Sequence, residues 1–150
     1  MKVIKPDFSK SLQQLENIFW EDYAFPTPLI EKAHIYRKIP INDLLPSEIR
    51  LLIGQNIGLQ FLIPKAIEIL EIDILTDADF YEGDLLSAIL TCDKDYWSNH
   101  KEIKQRVRTL LSDKISEIEN QTIDNSLRQV IKKINKFRQS EDLKNALLYC

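Results

Sequence analysis

Seven carboxylates fall between residues 68 and 84, namely Glu68, Glu71, Asp73, Asp77, Asp79, Glu82 and Asp84, and no basic residue after Lys65 offsets them. Oxygen donors at this density raise the question of Ca2+ or Mg2+ binding. An EF-hand loop starting at Asp77 would need a side-chain ligand where Tyr81 stands, a glycine where Glu82 stands and a glutamate where Ala88 stands. Three mismatches exclude that motif, and no metal or other cofactor is assigned. Two readings of the acids remain. They can be the solvated end of a helix and its loop, as most charge runs are. They can also form a negative patch that meets a cationic partner, speeding association and selecting the partner by charge.

Nucleophilic chemistry would have to come from Cys92, Ser87, His34 or His100. Ser87 lacks the Gly-x-Ser-x-Gly elbow, and Cys92 lacks the local context of a catalytic cysteine. His34 sits between Ala33 and Ile35 in a helical pattern and His100 in a polar stretch, which reads as packed and solvated positions respectively. No convergent set emerges, so the chain is read as non-enzymatic. Cys92 and Cys150 are the only cysteines and are read as free thiols, too few for a disulfide framework or a metal quartet.

All three glycines, Gly54, Gly58 and Gly83, lie between Ile53 and Leu86. A phosphate-binding loop would follow its last glycine with lysine and a hydroxyl residue, which are missing, and the preceding element reads as helix. The glycines, with Pro64, are instead expected to set helix breaks and close packing.

The net charge of −3 divides unevenly: residues 1–50 sum to 0, residues 51–100 to −7 and residues 101–150 to +4. In the basic third, Lys101, Lys104 and Arg108 share a helical face, and Lys132, Lys133, Lys136 and Arg138 crowd the next helix. Phosphate contact is the alternative they offer, as a small nucleic-acid-binding regulator, against interspersed acids and a sequence pI of about 5.4. Phe137 and Tyr149 are expected in the core.

The elements that hold these residues read as helices. Ser9 caps a helix from about Lys10 to Trp20, with Phe8 stapled over it and Leu12, Leu15, Ile18 and Phe19 on its apolar face. Thr27-Pro28 opens a second helix to Lys38, with Leu29, Ala33 and Tyr36 at helical spacing. Pro46 opens a third that Gly54 ends or bends. A break near Asn56 and a new helix entered around Leu62 follow, carrying Ile63, Ala66, Ile67, Leu70 and Ile74. The alternation from Ile67 to Ile74 resembles a strand, but continuity with Pro64 favours helix. Thr76–Gly83 is a loop, Leu85, Leu86, Ile89 and Leu90 a short helix, and Asp93 a cap for Tyr96 and Trp97. A stripe from Ile103 to Ile118 follows an offset at Asn99-His100. One further helix runs from Ile123 to Phe137 and a last one holds Leu143, Ala146 and Leu147.

The expected fold is thus an all-α bundle of seven or eight helices in one domain spanning residues 1–150. The longest uncharged run, residues 51–64, is too short and polar to cross a bilayer. Met1–Asp7 carries no apolar signal core, so a cytoplasmic location is expected.

The glycine-bearing stretch resembles a known family. The similarity lies in Leu15-Glu16 with Trp20, and in Leu44 with Leu51-Leu52-Ile53-Gly54-Gln55-Asn56-Ile57-Gly58-Leu59. It continues through Phe61-Leu62-Ile63-Pro64 with Ala66 and Leu70, and through Asp79-Phe80-Tyr81-Glu82-Gly83-Asp84-Leu85-Leu86 with Tyr96-Trp97. These blocks resemble the immunity proteins of bacterial contact-dependent growth inhibition (CDI) systems, over about residues 8 to 112, and residues 121–150 match nothing in it. The resemblance implies a non-catalytic cytoplasmic inhibitor of the C-terminal toxin domain of a cognate effector, such toxins often being nucleases. Gly54, Gln55, Gly58, Pro64, Phe80, Tyr81 and Gly83 would be its scaffold. The seven acids would be the toxin contact, because a nuclease binds phosphate with Lys and Arg and an acidic surface is drawn to that site. A helical adaptor with an unrelated partner is the blander alternative.

Overall fold

In the computed structural model, residues 6–21, 26–120 and 124–148 are described, the last helix with side chains as far as Gln139. Among these residues eight α-helices follow one another: α1 (Leu12–Glu16), α2 (Pro28–Arg37), α3 (Pro46–Gly54), α4 (Leu59–Ile72), α5 (Asp84–Leu90), α6 (Lys94–Asn99), α7 (Lys101–Glu119) and α8 (Asn125–Leu148). Among the described residues there is no strand, only two isolated β-bridges. The all-α expectation holds.

The first helix is shorter than the apolar spacing predicts. Ser11, rather than Ser9, makes the cap: its hydroxyl accepts from Gln14 N while Gln14 Oε1 accepts from Ser11 N at 2.9 Å. Ser9 is engaged by Asp7, whose carboxylate accepts from both its N–H and its hydroxyl. Asn17, at φ 55°, stops the helix in the left-handed region, an option open to asparagine but invisible to hydrophobic periodicity. Ile18 and Phe19 are consequently exposed, not core. Arg37 of α2 fixes the chain beyond the stop. Its Nη2 donates to the Ile18 carbonyl at 2.9 Å and to Glu16 Oε1 at 3.1 Å, with the guanidinium 4.4 Å from the centre of the Trp20 ring. That fully buried cation is tolerated because it is hydrogen-bonded and ion-paired.

The second helix begins at Thr27-Pro28 as expected, with the Thr27 hydroxyl accepting from Ile30 N, although Leu29 faces solvent. After α3, Asn56 at φ 56° and Gly58 at φ 64° turn the chain, and α4 starts at Leu59, three residues before the predicted entry. Pro64 therefore lies inside α4. Its missing N–H deprives only the Gln60 carbonyl of a helical bond, and Gln60 is exposed to water. The segment after α4 enters extended backbone at Asp73, so the alternation to Ile74 belongs to a helix and its exit.

Where two C-terminal helices were expected there is one, α8, because nothing between Phe137 and Leu143 breaks a helix. The side chains of Leu143, Ala146 and Leu147, and residues Ile123, Tyr149 and Cys150, lie outside the described set. Phe137 is in the core, as expected.

The short apolar helix α5 is the hub, packed against α3, α4 and α8. Leu85, Leu86 and Ile89 are fully buried, as are Leu52 and Ile53 of α3, Ile67 and Leu70 of α4, and Val130 and Ile134 of α8. Burying each such side chain contributes about 1.5–3 kcal/mol, so the core is built on α5. The N-terminus of that helix carries the acidic loop.

Candidate binding surface

The loop between α4 and α5 is held from beneath by one carboxylate. Asp84 is buried, and its Oδ1 accepts from Ala78 N at 2.6 Å while Oδ2 accepts from Asp79 N at 3.1 Å and Phe80 N at 3.0 Å. Arg50 Nε of α3 stands 3.8 Å from Oδ2. A charged acceptor can satisfy three backbone donors at once, which converts a run of loop residues into a fixed turn. Asp84 thus differs from its sequence assignment: it is spent on the loop and cannot touch a partner.

The loop is closed at both ends. Asp73 Oδ1 accepts from Leu75 N, the Thr76 hydroxyl donates to the Asp73 carbonyl, and Gly83 N donates to the Leu75 carbonyl at 3.1 Å. Asp77 and Glu82 face each other in an isolated antiparallel bridge. Gly83 sits at φ 89° with Val130 of α8 and Leu75 3.1–3.3 Å from where a Cβ would stand, so here both left-handed backbone and close approach require glycine.

On this frame the tip points outward. Asp77, Asp79 and Glu82 are exposed and have no ion pair or side-chain hydrogen bond among the described residues. Phe80, counted from its motif as scaffold, is instead 67% exposed, with the Arg50 guanidinium 4.3 Å from its ring centre on one side. Tyr81 beside it is half-buried against the core. At the other end of the loop Ile72 is 88% exposed.

The remaining acids are not equivalent to these. Glu68 is half-buried and paired with Lys65 at 3.8 Å. Glu71 is clasped by Arg106 of α7, Oε1 to Nη2 at 2.6 Å and to Nε at 3.1 Å, a cross-helix pair that no spacing rule within one helix reveals. Asp73 is exposed but serves as the turn acceptor for Leu75. The seven acids therefore resolve into one buried buttress, three engaged carboxylates and three free ones around an aromatic ring.

The candidate nucleophiles and bases do not converge. His34 is buried in α2 and stacks on Trp20 at 6.0 Å between ring centres. His100 stacks on Tyr96 at 4.2 Å, with Nδ1 2.7 Å from the Tyr96 carbonyl, which can only accept and so fixes the proton on Nδ1. The Ser87 hydroxyl is buried and accepts from Lys133 Nζ. Among the described residues no three His, Cys, Asp or Glu side chains are grouped to hold a metal ion, and no helix is long and apolar enough to cross a membrane.

Burial pushes the Cys92 thiol up to about 12 from its ordinary value of 9.0, the Asp93 carboxylate adding to the effect. A thiol so far from its thiolate is a poor nucleophile. Tyr96 is raised as well, by burial first and then by Cys92. In both cases the unfolded chain ionises before the folded one, so above pH 9.0 the folded state holds more protons. The Cys92 contribution to stability is complete below that pH and is lost as pH rises toward about 12, and that of Tyr96 is lost only from pH 10.0 upward. Urea midpoints measured at about pH 8 and about pH 11 should fall between the two, and Cys92→Ala should shrink the fall.

Of the sequence-predicted basic residues, Lys101, Lys132 and Lys136 are exposed and Lys104, Arg108, Lys133 and Arg138 half-buried. They do not form one outward stripe.

The family profile of the CDI immunity proteins matches residues 14–107, well over half the chain. The chain belongs to this family. No curated protein and no solved structure matches it. The partner of an immunity protein is its cognate CDI toxin, a protein surface, and the match spans α3, α4, the acidic loop and α5. Of the immunity protein's C-terminal residues, all of α8 lies outside the matched span, including Val130 against Gly83.

Proposed function

We propose that this immunity protein acts in the cytoplasm by seating the Asp77–Glu82 loop on the cationic active-site region of a nuclease toxin. One observation carries the reading: an exposed Phe80 ring, held on a turn fixed by Asp84 and flanked by the free carboxylates of Asp77, Asp79 and Glu82. Aromatic anchors supply the apolar core of protein interfaces, and complementary charge supplies steering and partner choice. A nuclease site carries Lys and Arg for phosphate, so the loop presents the opposite charge where the substrate would lie. Exposed Asp73, just past α4, adds to the same negative field without needing direct contact, whereas Lys65 and Arg106 offset the charges of Glu68 and Glu71. Preorganisation matters because a loop ordered before binding loses little entropy on docking.

The test is co-expression and purification with the toxin domain, then stopped-flow association at several salt concentrations. Asp77→Asn, Asp79→Asn and Glu82→Gln together should slow association about tenfold at low salt and flatten its salt dependence. Phe80→Ala should leave the association rate near wild type and speed dissociation, weakening Kd about 30-fold, or about 2 kcal/mol. Unchanged rates in both variants would place the interface elsewhere. A toxin that leaves DNA and RNA intact in cells would sink the nuclease assignment.

A further inference from the structure

A second candidate site lies at the other end of α5, past Leu90. A cavity of about 770 Å3 opens between α6, α7 and α8, and four lysines from these three helices line it: Lys94, Lys104, Lys133 and Lys136. Among the described residues Asp93 is the one carboxylate on its wall, so those residues carry a net excess of positive charge. Its apolar wall is aromatic. Trp97 and Phe137 meet edge to face at 5.2 Å, and Lys104 Nζ stands 5.6 Å from the Phe137 ring centre.

Two details distinguish this from scattered surface lysine. Lys133 is half-buried and anchored, its Nζ donating to Ser87 Oγ at 2.5 Å, which leaves two further N–H donors on a fixed ammonium. Lys94 and Lys136 are exposed at the rim, with no ion pair among the described residues. Like charges gathered over a low-dielectric concave wall repel one another, and an anion relieves that repulsion while the wall focuses its field.

The volume lies in the range of small-molecule sites. The pairing of ammonium groups with an aromatic wall fits a ligand that has both several negative charges and a flat ring. We infer that this cleft binds a nucleoside di- or triphosphate, the base against Trp97 and Phe137 and the phosphates among the lysines. It involves no residue of the acidic loop.

Isothermal titration of the full chain with ATP, in Mg2+-free buffer, tests this. Saturable one-site binding tighter than about 1 mM is expected. Lys94→Gln with Lys136→Gln, both at exposed positions, should weaken it at least tenfold while leaving the melting temperature unchanged. The Asp77, Asp79 and Glu82 triple variant should bind ATP like wild type. Inorganic triphosphate should bind more weakly than ATP, because it offers no ring. Equal binding of triphosphate and ATP would reduce the site to simple charge attraction and overturn the assignment. So would absence of ATP binding, indifference to the lysine substitutions, or an RNA oligonucleotide that outcompetes ATP by tenfold or more.

Discussion

Asp84→Asn is expected to destabilise the fold by about 3 kcal/mol, lowering the melting temperature by roughly 6–12 °C for a domain of this size. Asparagine keeps one acceptor oxygen, enough for Ala78 N, but its amide nitrogen would then face the N–H groups of Asp79 and Phe80. Donor against donor leaves two part-buried backbone groups poorly satisfied beside a buried side chain. Arg50 loses its carboxylate at the same time. The loss is local as well as global, since the loop tip is what the carboxylate holds. Calorimetry reads the first effect, and hydrogen exchange at Ala78, Asp79 and Phe80 reads the second. A variant with wild-type melting and wild-type protection of those amides would refute the buttress role.

Gly58→Ala should cost a comparable amount, about 2–5 kcal/mol, from two additive sources. Its φ of 64° is a left-handed conformation that an L side chain adopts at about 1–2 kcal/mol. A Cβ there would also stand 2.6 and 2.8 Å from the two methyl carbons of Leu12, which is fully buried and cannot swing into solvent. Overpacking of that kind costs about 1–3 kcal/mol. Gly54→Ala is the matched control. Gly54 ends α3 without positive φ, and a Cβ there would meet nothing within 4 Å. Alanine should therefore be neutral or stabilise by about 0.5–1 kcal/mol. Denaturant unfolding of the two variants separates them, and equal midpoints would show that Gly58 is not constrained.

The contrast between these two glycines also shows where sequence reasoning reached its limit. Both occur in the family blocks and both were read as scaffold points, yet only Gly58 is required by its backbone. Asn56 supplies the neighbouring positive φ, and its Oδ1 accepts from Asp93 N at 3.0 Å, tying the turn to the start of α6. Helix identity was legible wherever a proline or cap coincided with apolar spacing, as at Thr27-Pro28, Pro46 and Asp93. It failed at Asn17, because a non-glycine stop leaves periodicity intact, and between Phe137 and Leu143, where a change in apolar spacing was mistaken for an end. In the acidic run, composition located the loop but could not sort its members. Whether a carboxylate faces water or accepts three amides depends on residues 4–6 positions away folding back over it, as Ala78, Asp79 and Phe80 do over Asp84. The outward turn of Phe80 was hidden for the same reason: an aromatic residue beside Tyr81 reads as core until Arg50 is seen stacked on it.

The dependence of α5 on α8 sets an order of events at the ribosome. Gly83 packs on Val130 and Ser87 receives Lys133, contacts 46–47 positions apart along the chain. Until α8 has been synthesised, the face of α5 that it covers stays open and the loop stands on a helix with one supporting wall absent. A nascent chain that has delivered the whole family-matched span, residues 14–107, thus still lacks the last wall beneath its acidic loop. The interval is one in which the open apolar face is a target for chaperones or proteases.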